Sequence, residues 1–107
     1  MRAGTMRHRV TLQEKAPTRD DYHGEVHNWT DVATVWAAKE PLQGREFYDA
    51  RREGAQQPVW FWIRYRDDVV PAMRLLHGDQ VYGIDSVVEV SGMGRELRLM
   101  CTEVLDG

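Results

Sequence analysis

The sequence predicts a mainly β fold: a small six-stranded antiparallel β-barrel or sandwich with one short helix and a long polar hairpin loop. Three observations carry this prediction. Alternating polar and apolar runs recur along most of the 107 residues, separated by short turns rich in Gly, Asp and Ser. Only residues 43–55 shift to a helical period. The run Val59-Trp60-Phe61-Trp62-Ile63-Arg64-Tyr65-Arg66 is dense in β-branched and aromatic residues, with Pro58 at its start.

The elements follow in order. Arg7 to Gln13 alternates, with Arg7, Arg9 and Thr11 on one side and His8, Val10 and Leu12 on the other, as in a half-buried strand. Lys15 to Glu25 is polar, carries Pro17, Asp20, Asp21 and Gly24, and is predicted to be the long hairpin loop. Val26 to Pro41 is strand-like again through Trp29, Val32, Val35 and Trp36, with Asp31 marking a bend or bulge. In the helix, Phe47 and Ala50 lie three apart, Leu42 precedes and Gly54 can close it. A helix this short needs tertiary or partner contacts to hold.

After the strand at 59–66, Asp67-Asp68 make a turn. Met73 to His77 is a short strand, joined through a tight Gly78-Asp79 connection to Gln80–Val90. There Tyr82, Ile84, Val88 and Val90 are assigned to one face. Ser91 to Gly94 turn the chain again. Arg95 to Val104 then points Leu97, Leu99 and Cys101 inward and Glu96, Arg98 and Thr102 outward. Closing such strands into a barrel, or packing them as a sandwich, removes exposed edges.

The strand at 59–66 has two unlike faces. Val59, Phe61, Ile63 and Tyr65 form an ordinary core face; Trp60, Trp62, Arg64 and Arg66 form the other. Large aromatics with arginines are enriched at protein–protein contacts. Two readings stand open for that second face. A helix or loop of the same chain covers the tryptophans, or a partner does.

Composition narrows the class. Hydrophobic residues are 42% and charged residues 29% of the chain, as in a soluble globular protein, and the length fits one domain over residues 1–107. No apolar run approaches the ~20 residues of a membrane-spanning helix. Met1 to Met6 lacks the apolar segment of a secretory signal. The single cysteine, Cys101, precludes an internal disulfide and points to synthesis in a reducing cytoplasm. A net charge of −3 disfavours a general duplex-DNA binder. All but two of the 14 basic residues are arginine, the side chain preferred for planar, multi-donor contacts.

Chemistry is hard to find. His23 and His27 are four apart beside Asp20 and Asp21, but in a loop that spacing does not converge side chains as it does on a helix. Asp67-Asp68 fits a turn better than an acidic pair. Cys101 alternates with Leu97 and Leu99 and fits a small core residue better than a nucleophile. Gly92-Met93-Gly94 lacks the context of a phosphate loop. No enzyme activity, catalytic residue, cofactor or metal is expected.

Several motifs together form a pattern. They are Arg2-Ala3-Gly4 followed by Arg7-His8-Arg9-Val10-Thr11-Leu12-Gln13; Val35-Trp36-Ala37-Ala38; Leu42-Gln43-Gly44-Arg45-Glu46; Ile63-Arg64-Tyr65-Arg66; Met73-Arg74; Tyr82-Gly83-Ile84; and Leu97 to Glu103. In this order and spacing the chain resembles the head–tail joining family of tailed bacteriophages, also called head-closure or stopper proteins. The resemblance implies a virion connector at the head–tail junction, made in the host bacterial cytoplasm. It would close the DNA-filled capsid beneath the portal and adaptor and offer a docking surface to the tail. The implied partners are portal, adaptor and tail proteins, and further copies of the chain in a ring, with the isolated subunit monomeric until assembly. Packaged DNA would pass nearby without sequence-specific binding, and no membrane partner is implied.

The resemblance also suggests contact residues. Arg45, Glu46 and Phe47 open the helix in the shared motif and are candidates for a ring or adaptor contact, against an ordinary helix start with a core Phe. Arg2 and Arg7 are candidates for a neighbouring subunit, and Trp60, Trp62, Arg64 and Arg66 for a partner-facing strand. The acidic loop Thr18, Arg19, Asp20, Asp21, Tyr22, His23, Gly24 and Glu25 is the channel-facing candidate, because like charge repels phosphate. Trp60 and Trp62 are bulkier than the family pattern leads one to expect. Two alternatives remain. One is a small-barrel single-stranded nucleic-acid-binding module that stacks bases on Trp60 and Trp62 with Arg64 and Arg66 on phosphates. The other is a tail-completion or terminator protein.

Overall fold

The structure, a computed structural model, describes residues 6–16, 28–52, 54, 58–90 and 95–104. It is a closed six-stranded barrel with one short helix among the described residues. The elements in chain order are β1 (His8–Lys15), β2 (Trp29–Pro41), α1 (Gly44–Arg52), β3 (Pro58–Arg64), β4 (Arg74–His77), β5 (Gln80–Val90) and β6 (Glu96–Glu103). Around the barrel they run β1-β2-β3-β6-β5-β4, all antiparallel, and β4 closes back on β1 through Leu12↔Leu75 and its neighbours. Closure leaves no free sheet edge in the ring, so among the described residues the surfaces open to other molecules are outward side chains and α1.

Alternation fills the inside. Val10, Leu12, Phe61, Ile63, Leu75, Leu99 and Cys101 are fully buried, with Tyr82, Ile84 and Leu97 packed among them. Phe61 and Tyr82 meet edge to face, ring centroids 5.1 Å apart. Burial in this core pushes the Cys101 thiol far above its ordinary pKa, with a smaller contribution from Asp85.

Two bulges set which residues face in. Leu12 pairs with Ala33 but Gln13 pairs with Asp31, so Val32 is the extra residue, next to the position where a bend was expected. Gln13 lies between its cross-strand neighbours Asp31 and Arg74, which cover it and bond both ends of its amide: its Nε2 donates to Asp31 Oδ1 at 2.6 Å and its Oε1 accepts from Arg74 Nε at 2.7 Å. On β5, Ile84 pairs with Cys101 and Ser86 with Met100, leaving Asp85 over. That extra residue inverts the alternation beyond it. Val87 packs on the core and Val88 is 38% exposed, the reverse of the facing assigned from strict period two.

The helix is shorter than the period suggests, Gly44–Arg52 rather than 43–55. Glu46 in its first turn and Arg51 and Arg52 in its last complement the helix dipole. Gly54 ends it with φ +95° and an N–H bonded to Arg51 O at 3.0 Å. None of its residues is buried.

Candidate assembly interface

The outer face of β3 is built by cross-strand pairing. One row runs Ala38, Trp62, Arg98, Val88 across β2, β3, β6 and β5; the next runs Glu40, Trp60, Met100, Ser86. The Arg98 guanidinium lies 3.8 Å from the Trp60 ring centroid and 5.6 Å from that of Trp62. Trp60 Nε1 donates to Glu46 Oε1 at 3.4 Å, which ties α1 to the barrel, and Trp62 Nε1 donates to Glu40 Oε1 at 3.2 Å. Ala38 and Leu42 complete a second small core, with Met6, Ala50, Val90 and Met100 at its margin.

Of the two readings left open for this face, the fold takes intramolecular cover. Trp60 is 5% and Trp62 7% exposed. They cannot serve as an open partner surface or as a stacking platform for bases, and their bulk is accounted for by α1 and Arg98. Tyr65, assigned to the core face, is 42% exposed because β3 ends at Arg64. Arg66 likewise lies past the strand. It forms a two-pronged pair with Asp68, Nε to Oδ1 at 2.9 Å and Nη2 to Oδ2 at 2.8 Å. That hydrogen bonding holds the Asp68 carboxyl below its usual range and raises the Arg66 guanidinium further.

The other candidates are outward. Arg45, Glu46 and Phe47 are exposed on the first turn of α1, so Phe47, at 38% exposure, is not a core residue. Its ring contacts Tyr48 edge-on, centroids 6.0 Å apart, and Arg51 lies 5.9 Å from its centroid. Arg7 and Arg64 share a shallow groove with Met6 and Trp36. Arg2 and the loop Thr18–Glu25, including His23, lie outside the described residues.

Two surface aromatics stand outside the contact residues that the sequence pattern singles out. Trp36 is 53% exposed, with the Arg9 guanidinium 4.9 Å from its ring centroid, and Tyr48 is 69% exposed. Both had a signal. Val35 and Trp36 are adjacent on a strand, so if Val35 faces the core Trp36 must face out. Phe47 and Tyr48 are adjacent on a helix and cannot both lie against the barrel.

A second groove, of about 700 Å³, separates α1 from β5 and β6. The carboxylates of Glu46, Asp49 and Asp85 line it together with Ala50 and Met100. Asp85 Oδ2 accepts from Thr102 Oγ1 at 2.6 Å.

The family described as phage head completion protein matches residues 1–104. The chain belongs to that family. Membership makes it a structural component of a phage particle, with a role in head completion. Head completion protein gp7 of Enterobacteria phage HK97 is 29% identical over 106 residues, covering 94% of this chain and 95% of that relative. The solution structure of protein SF1141 from Shigella flexneri 2a superposes with a TM-score of 0.73 at 28% identity, over all of both chains. A chain in the virion of a native gene transfer agent particle superposes with a TM-score of 0.62 at 19% identity, over 91% of this chain and 94% of that one. At that identity the second likeness is one of fold.

Proposed function

We propose that this head completion protein is a connector at the head–tail junction, which closes the DNA-filled capsid beneath portal and adaptor and gives the tail its docking surface. The observation that carries this reading is the family match across residues 1–104. The fold supports it in a specific way. A closed barrel offers no edge for strand addition, and its helix buries none of its residues while exposing Phe47 and Tyr48. A surface helix with aromatics and mixed charge is suited to docking on other proteins. Arg45, Glu46 and Phe47 are the residues we assign to a ring or adaptor contact, with Arg7 and Arg64, beside Trp36, as further contact residues.

Deleting the gene in its source phage or induced prophage, followed by electron microscopy, tests this. Free tails beside tailless heads that have lost DNA are the expected result. Normal infectious virions would overturn the proposal. Purified protein that binds isolated tails but not portal–adaptor rings would move its role to tail completion.

A further inference from the structure

The chain carries two surface features that fit each other. The first is an exposed tryptophan, the knob, at the edge of the shallow groove that it lines with Met6, Arg7 and Arg64. Trp36 stands half-exposed on the outside of β2, with Arg9 stacked on it and Arg7 and Arg64 beside it. It has an apolar centre and a positive rim, the composition of a binding hot spot. The second is the groove between α1 and the β5–β6 face. Ala50 and Met100 give its lining apolar surface, and Glu46, Asp49 and Asp85 give it negative charge. At about 700 Å³ it has room for an indole with flanking guanidinium groups.

The two cannot meet within one chain. Arg64 ends β3 and cross-pairs with Glu96, whereas the groove opens beside Met100, at the Trp60 row of the same sheet. The Trp60–Trp62–Arg98 layer lies between them. We infer that the Trp36–arginine knob of one copy docks into the acidic α1 groove of the next copy. Contact between two different patches is heterologous, and repeating it gives a ring where the rotation closes. The inference therefore deepens the proposed ring assembly and rests on that reading. Matching charge also favours correct register over unspecific adhesion, because knob meeting knob sets three arginines against three.

The test uses phage particles whose only source of this protein is the chain with Arg9→Cys and Asp49→Cys. Both positions are exposed, and native Cys101 is buried and does not interfere. After mild oxidation, a ladder of covalent species beyond the dimer supports the inference. A dimer formed by Arg9→Cys alone overturns it, since that requires the knob to face its own copy. A second arm uses charge. Arg64→Glu or Asp49→Arg alone should lower incorporation into particles at least tenfold, and the two together should restore it. Monomer in every oxidised sample with no rescue by the swap, in particles that contain the chain, overturns this docking and leaves the ring reading standing. Particles that assemble and infect when the chain is absent altogether, substituted or not, overturn both.

Discussion

Phe61 and Trp62 are neighbours on β3, yet one is enclosed by a ring of strands and the other lies under a light cover. Phe61 is wholly inaccessible, packed against Tyr82 within the closed barrel. Trp62 and Trp60 are nearly as inaccessible, but what covers them is an arginine side chain, two methionines at the margin and a helix with no buried residue. The inner core excludes water by topology. The outer layer does so by side-chain stacking and by two indole N–H groups that find carboxylates. Similar exposure values thus describe unlike stability, because cover that can shift relaxes around a lost side chain and a closed barrel cannot.

Phe61→Ala is expected to have the largest effect, a loss of about 3–5 kcal/mol, because the cavity has no route to collapse. Urea denaturation followed by circular dichroism measures it. Trp60→Ala should cost less, about 2–3 kcal/mol, since Arg98, Met100 and Ala50 can close over the gap. This loss belongs to the monomer, so it appears without any partner present. Equal losses for the two substitutions would remove the distinction between the layers.

Acidity provides a third, smaller probe, aimed at the rim of the inner core. His77 Nε2 lies 3.3 Å from His8 Nδ1, and its ring stands edge-on to Phe61 at 6.0 Å. Burial first, then the charges of His8 and Lys39, hold the His77 pKa below the ordinary 6.5. The unfolded chain therefore takes up the proton first. Stability from this group is full above about pH 6.5 and is lost as pH falls from there toward the folded value. The urea midpoint should drop between about pH 7.5 and 5.5, and His77→Gln should flatten that drop. Asp68 does not confuse the result, because a carboxyl held below its usual range acts only below about pH 4. A pH slope unchanged in His77→Gln would clear this pair of any role.

Much of this was legible beforehand. Strict alternation in residues 8–12, 59–63 and 97–101 placed Val10, Leu12, Phe61, Ile63, Leu97, Leu99 and Cys101 correctly, because a strand's two faces are fixed by its pleat. The strand count and spacing predict a closed barrel, with a sandwich as the alternative. What failed was register beyond a bulge. Period two carried through Asp85 turns Val88 inward, though the polar pair Asp85-Ser86 marks where the alternation breaks. The outer layer was illegible for another reason. The pattern of α1 shows that a helix exists, but not which face of the barrel it lies on, so the fate of Trp60 and Trp62 had to be left open. Trp36 is hard to read as a surface residue because an exposed tryptophan runs against the usual partition, and only the facing of Val35 exposes it.

The smallest expected effect tests how firmly the helix is attached. Glu46 accepts the Trp60 Nε1 hydrogen at 3.4 Å, a long bond at the edge of the second core. Glu46→Gln keeps an acceptor and should change stability little. Glu46→Ala removes it and should cost about 0.5–1 kcal/mol, because the indole N–H lies near enough to the surface to find water. Tryptophan fluorescence adds a readout that bulk stability lacks. If α1 is held chiefly by Leu42 and Ala50, emission from Glu46→Ala stays close to that of the parent chain. If the single hydrogen bond holds it, emission shifts to the red and Trp60 becomes open to a soluble quencher. The second result would make the outer layer a cover that lifts readily, and Trp60 would then become available to a partner only after α1 has moved.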